Sequence, residues 1–173
     1  MVTESGLRSR FEGLLSLRSE EEVRCYLQKL LGQNVQADEH GNLISGTGKV
    51  ALVCHMDTVF DGRFRGGVVH DTVNDEYHRM ADTGSSTGLG GDDRCGIALA
   101  LEMLHSNAPV KAFFFSNEEY GGTGSGSVDL CHFNGVEATI GLDWEEASNI
   151  LVGDYTKLCS NPFRSFVKEI ADP

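Results

Sequence analysis

Six side chains in this sequence are of the types that hold divalent cations or move protons: His55, Asp57, Asp92, Glu118, Glu119 and Asp143. In His55-Met56-Asp57 the two polar residues lie two apart, so on extended backbone they point to one face and Asp57 can orient the imidazole. Glu118 and Glu119 are adjacent, which lets two carboxylates divide the work: one binds a cation while the other takes a proton from water. Imidazole and carboxylates without thiolate suit zinc, with manganese or cobalt as substitutes. Each fragment alone has an ordinary reading, the His-x-Asp as a structural pair and the Glu-Glu as a solvated corner. The other histidines (His40, His70, His78, His105 and His132) read as turn or surface residues.

What raises the six above the ordinary is the chain that leads into them. Val50–Cys54 is a short continuous apolar run, the pattern of a strand covered on both faces, and it runs directly into His55. Val110–Ser116 (VKAFFFS) is a second such run and leads to Glu118 and Glu119, while Ala138–Leu142 leads to Asp143. In open α/β sheets, ligands bind outside the carboxyl ends of the strands.

The remaining elements follow from periodicity. Leu7, Phe11, Leu14 and Leu15 recur at helical spacing. A second helix starts at the Ser19 capping box, with Glu22 reaching back, carries the stripe Val23, Tyr26, Leu27, Leu30 and Leu31, and stops at Gly32. Asn34–Ala37 and Leu43–Ile44 form a hairpin through His40-Gly41-Asn42. Residues 61–91 read as loop with one hairpin near Tyr77–Met80, 93–105 as helix, and 162–170 as a last helix with Asn161 as its cap. Buried strands alternating with helices predict an α/β fold, a mostly parallel sheet flanked by helices in three layers.

Composition excludes several classes of function. The 173 residues carry a formal charge of −12, which opposes nucleic acid and anionic membranes as partners. There is no apolar run of the ~20 residues needed to span a bilayer, and the N-terminus has no signal-peptide core. Five scattered cysteines without a CxxC pair argue against a disulfide framework and fit a reducing, cytoplasmic setting. The glycine-rich stretches GLGGDD and GGTGSGS match neither the dinucleotide nor the P-loop pattern; their glycines are expected to let the backbone turn tightly near the site.

Four motifs in order, CHMDTV (54–59), GGDDRCG (90–96), SNEEYGGTGS (116–125) and GLDW (141–144), resemble the peptidase T, carboxypeptidase G and aminoacylase group of zinc exopeptidases. The resemblance covers roughly residues 7–145, including the opening helix and hairpin. It implies a co-catalytic zinc hydrolase of peptide or related amide bonds, acting on a small peptide or acylated amino acid. His55 would bind the first metal, Asp57 would orient it, and Asp143 would complete that site. Asp92 would bridge both metals, since Asp92-Asp93-Arg94-Cys95-Gly96 matches the group's Asp-x-basic-x-Gly pattern, with Asp93 the weaker choice. Glu118 would be the general base and Glu119 a ligand of the second metal.

The sequence also departs from that group. The group carries a lid domain after the acid matching Asp143, and a histidine near the C-terminus that completes the second metal site. Here thirty residues follow Asp143, and the last histidine is His132. The expectation is a single catalytic domain over 1–173 that has no lid and lacks the C-terminal part of the family fold. Its first metal site would be tight and its second weak, and its open strand edge would favour a homo-oligomer. The competing reading is a non-catalytic, metal-stabilised binding or scaffold module descended from such a peptidase.

Overall fold

A computed structural model describes residues 4–60, 66–79 and 88–143. They belong to one compact unit, Met1–Asp143. The helix expected over 162–170 lies outside the described residues.

Two helices open the chain, α1 (Glu4–Leu15) and α2 (Glu20–Leu31). Ser19 caps α2 by accepting from Glu22 N at 3.2 Å, but the Glu22 carboxylate accepts from Arg18 N, one residue before the expected partner. Val23, Leu27 and Leu31 form the buried stripe; Leu30, expected in it, is 36% exposed. Gly32 ends the helix in the left-handed region at φ 56°, with its N–H bonded to Gln28 O.

Strands β1 (Val35–Ala37) and β2 (Leu43–Gly46) form the expected hairpin. They are followed by β3 (Val50–His55), a small hairpin of β4 (Val68–Asp71) and β5 (Glu76–Arg79), and α3 (Gly91–His105). Then come β6 (Val110–Phe115), a short helix α4 (Thr123–Ser127), a 3-10 turn (Leu130–Phe133) and β7 (Ala138–Gly141). The hairpin begins some residues before the expected Tyr77–Met80, and α4 is an additional element whose glycines and serines carry no apolar periodicity.

The central sheet has the order β1-β2-β6-β3-β7. Pairing makes β6, β3 and β7 mutually parallel, and β2 runs against both β6 and β1. Four of the five strands therefore share one direction, and the tight 38–42 turn is what forces β2 to reverse. The alternation of strand residues divides the core in two. Leu52, Cys54, Ala112 and Phe114 join Leu14, Val23, Leu27, Ile97 and Leu101 under α1, α2 and α3. Ala51, Phe113 and Phe115 face the other way, toward Ile44, Val128 and Phe133, with Phe113 stacked on Phe133 at 4.2 Å between ring centroids. Burial on both faces explains why β3, and β6 beyond Lys111, read as continuous apolar runs. None of the described helices is long and apolar enough to cross a membrane.

Candidate metal centre

The parallel register fixes the first part of the site. His55 is the last residue of β3 and pairs with Phe115 of β6, while Val53 pairs with Gly141 of β7. Continuing that register by two residues, as the Leu142 N–Val53 O bond of 2.9 Å does by one, puts Asp143 level with His55 and on the same face. Asp92 arrives from the start of α3, where Asp92 and Asp93 depart from helical dihedrals and the peptide joining them is cis.

The result is a cluster. His55 Nε2 stands 2.9 Å from Asp92 Oδ1 and 3.7 Å from Asp143 Oδ2. Among the described residues, these three form a group whose ligand atoms all lie within 4.8 Å of one another. The imidazole is 3% exposed, whereas Asp92 and Asp143 open to solvent at 66% and 49%.

Asp57 links this cluster to the second part of the site. Its backbone carbonyl lies 3.1 Å and its Oδ1 3.3 Å from His55 Nδ1, so both face that ring nitrogen. The same carboxylate accepts from Glu118 N at 2.9 Å through Oδ1 and from Glu119 N at 3.0 Å through Oδ2. Glu119 Oε1 accepts from Val59 N at 3.2 Å, and Glu119 lies outside the three-residue cluster.

Charge is concentrated here. Burial alone would lower the His55 pKa, but the Asp57 hydrogen bond and the charges of Asp93, Asp143 and Asp92 reverse this and raise it to about 9. Burial, with the Asp92 charge behind it, raises Asp143. Burial also raises Glu119, with Asp92 and Glu118 adding to the effect. Burial opposes ionisation of Asp57, yet its bonds to His55 and to the Glu118 and Glu119 amides leave its pKa lowered.

These residues fit a divalent cation. One imidazole nitrogen and two carboxylate oxygens are a borderline-to-hard donor set, and donors sharing a cation through bonds of about 2.1 Å stand roughly 3.4 Å apart. The observed 2.9 and 3.7 Å bracket that spacing. The proton held on His55 by surrounding acids is the charge that a cation would replace.

Sequence reasoning missed two supports. Asp93, set aside as the weaker ligand, is 2% exposed and holds backbone instead: it accepts from His55 N at 3.2 Å and Gly96 N at 2.9 Å. Burial lifts its pKa to about 7. Gly96 is required because a Cβ there would stand 2.3 Å from Asp93 Oδ1. Arg94 is fully buried and donates to Leu14 O, Leu17 O and Gly90 O, binding the end of α1 to the start of α3 where Asp92 sits. The Asp-x-basic-x-Gly pattern favoured Asp92 over Asp93 as a ligand, but it carried no sign that Asp93 would turn inward to hold backbone.

Comparison with known proteins adds a fold. Neither a family model nor a curated protein sequence matches the chain. Among solved structures, the aminopeptidase PepT from Bacillus cereus superposes with a TM-score of 0.63 at 21% sequence identity. The match covers 84% of this chain and 44% of the aminopeptidase, so the chain spans less than half of that protein's length. The mixed α/β architecture with its mostly parallel five-stranded sheet is the fold of that peptidase domain.

Proposed function

We propose that this chain is a metal-dependent hydrolase of peptide or related amide bonds, with a cation held by His55, Asp92 and Asp143. The observation that carries the reading is the convergence of those three side chains, from three separate elements, at the carboxyl ends of parallel strands. The shared fold with an aminopeptidase supports it. When bound, zinc would supply Lewis acidity and make water a better nucleophile at neutral pH.

The protein's own residues do the rest. Asp57 keeps His55 Nδ1 engaged, which leaves Nε2 directed at Asp92 and Asp143. It also fixes the amides of Glu118 and Glu119, and so the start of the turn on which the general base stands. Glu118 takes the proton of the attacking water as the new C–O bond forms. It then returns that proton to the departing nitrogen as the C–N bond breaks. Glu119 would serve a second, weaker cation shared with Asp92. A small substrate, such as a short peptide or an acylated amino acid, suits the exposed face of the cluster.

The second reading is a binding module that keeps a metal but performs no hydrolysis. It is favoured by the position of Glu119 outside the cluster. Hydrolysis of a peptide panel by metal-stripped and zinc-reloaded protein separates the two. Glu118→Gln is expected to keep its zinc and lose about 10²–10⁴-fold in turnover. Unchanged turnover in that variant would remove Glu118 from the base role, and zinc binding without any metal-dependent hydrolysis would favour the binding module.

A further inference from the structure

The segment carrying Glu118 and Glu119 is closed by a side chain from a distant turn. Asn42 lies between β1 and β2, is fully buried, and uses both ends of its amide. Its Nδ2 donates to Gly124 O at 3.0 Å and to Asp38 Oδ2 at 2.7 Å. Its Oδ1 accepts from Ser116 N at 3.0 Å and from Ser116 Oγ at 3.3 Å. Ser116 directly follows β6 and Gly124 lies in the first turn of α4, so one amide ties together both ends of residues 116–124.

Other contacts show how tightly this closure is built. Gly124 N donates to Ser116 O at 3.2 Å, and Gly121 N and Gly122 N both turn back to Glu118 O. A Cβ on Gly124 would stand 2.2 Å from Ser116 O and 2.6 Å from Asn42 Oδ1, so the approach leaves room only for glycine. The 38–42 turn has bonds of its own besides those to Gly124 and Ser116, the latter also donating from Oγ to His40 O at 2.8 Å. Asp38 Oδ1 accepts from His40 N and Asn42 N, and Asp38 N donates to Asn42 O. The three bonds of the Asn42 side chain to Ser116 and Gly124 therefore serve the distant segment. A carboxylate at position 42 could not replace the amide, because it would face two acceptors, Asp38 Oδ2 and Gly124 O, with no donor.

We propose that Asn42 is a positioning residue: it closes the 116–124 segment and thereby sets where Glu118 stands relative to His55. Its consequence for turnover rests on the hydrolase reading given above, while its consequence for the segment does not. The closing experiment therefore reads both, in the full chain carrying Asn42→Ala or Gly124→Ala. The second variant attacks the same closure from the loop side and keeps the test alive if the first fails to fold.

Amide hydrogen exchange is expected to rise about tenfold or more at Glu118, Glu119, Gly121, Gly122 and Gly124, with β3 and β6 unchanged. Turnover of the zinc-loaded variants should fall about 10²-fold at nearly constant KM. Zinc affinity, read by calorimetry, should stay within about twofold of the unsubstituted protein, since no ligand of the first site is touched. Faster exchange confined to residues 38–45 would overturn the proposal, and so would a loosened segment with unchanged turnover. A loosened segment in a protein that hydrolyses no peptide even when unsubstituted would support the closure and sink the hydrolase reading instead.

Discussion

The two parts of the site are held in place by different means. His55 inherits its position from the parallel ladder of β3 with β6, and Asp143 from the continuation of β3 with β7. The one side-chain bond to this backbone named above, from His55 N to Asp93, adds to the ladder rather than replacing it. Glu118 and Glu119 lie beyond the last ladder pair of β6, on a turn fixed by the carboxylate of Asp57 and the amide of Asn42. A main-chain ladder shares its strain over many bonds, whereas a side-chain clamp can be undone by one substitution. Substitutions on the first part should therefore change chemistry without moving backbone, and substitutions around the second should move backbone first.

The largest expected effect is at His55. His55→Ala removes the buried nitrogen of the cluster, and zinc affinity should fall by more than the roughly 10–100-fold typical of losing an outer hydrogen-bond partner. Turnover should disappear with it while the circular dichroism of the sheet stays the same. Tight zinc binding by this variant would show that the cluster does not centre on His55.

Asp57→Asn comes next, because Asp57 touches both parts. An amide at position 57 would turn an N–H toward one of the Glu118 and Glu119 donors and so break one clamp bond. Zinc should weaken about 10–100-fold, and exchange at the 118–119 amides should quicken together with it. If affinity changed while those amides stayed protected, the two parts would be independent and the comparison would fail.

The smallest effect is on stability against pH in the metal-free protein. The folded pKa of His55 is raised to about 9 and that of Asp93 to about 7. A raised pKa means the folded state binds the extra proton, so each contribution is full below the unfolded value. The Asp93 contribution is lost as pH rises from about 4 to 7, and the His55 contribution from about 6.5 to 9. Asp57 has the opposite sign: its lowered pKa stabilises above the ordinary carboxylate range and is lost in acid. Thermal melts should therefore show metal-free protein more stable at pH 5.5 than at pH 9 as far as this site is concerned. Zinc should reduce or reverse that slope by replacing the His55 proton. A slope of the same size with and without zinc would place the titrating groups elsewhere.

The same contrast explains what could be read from the residues alone. The apolar runs before His55 and Glu118 were legible because burial on both faces leaves a continuous signature, and strand ends are where polar groups converge. The run before Asp143 forms a strand, β7, but at the sheet edge with Thr139, Ile140 and Gly141 exposed, so it is not the doubly covered strand its apolar residues suggest. Register then did the rest for His55 and Asp143. The functions of Asn42, Asp93 and Arg94 were not legible, because a side chain that bonds distant backbone leaves no period in the sequence. Asn42 read as an ordinary turn residue, and its partners Ser116 and Gly124 are 74 and 82 positions away. Likewise α4 went unseen among the glycines and serines of residues 121–127.

Strand β3 also constrains which changes in length the chain can accept. Cys54 and Met56 face the helical core while His55 and Asp57 face the site, at strict two-residue spacing. Deleting or inserting one residue between Val50 and Cys54 would exchange those two sets, driving an imidazole and a carboxylate into the hydrophobic core and a thiol and a thioether into the site. Point substitutions in this segment can be graded by volume and polarity, but single-codon indels cannot: every one should be lost. The 72–75 turn at the tip of the β4–β5 hairpin, where Val73 is 90% exposed, should by contrast tolerate them freely.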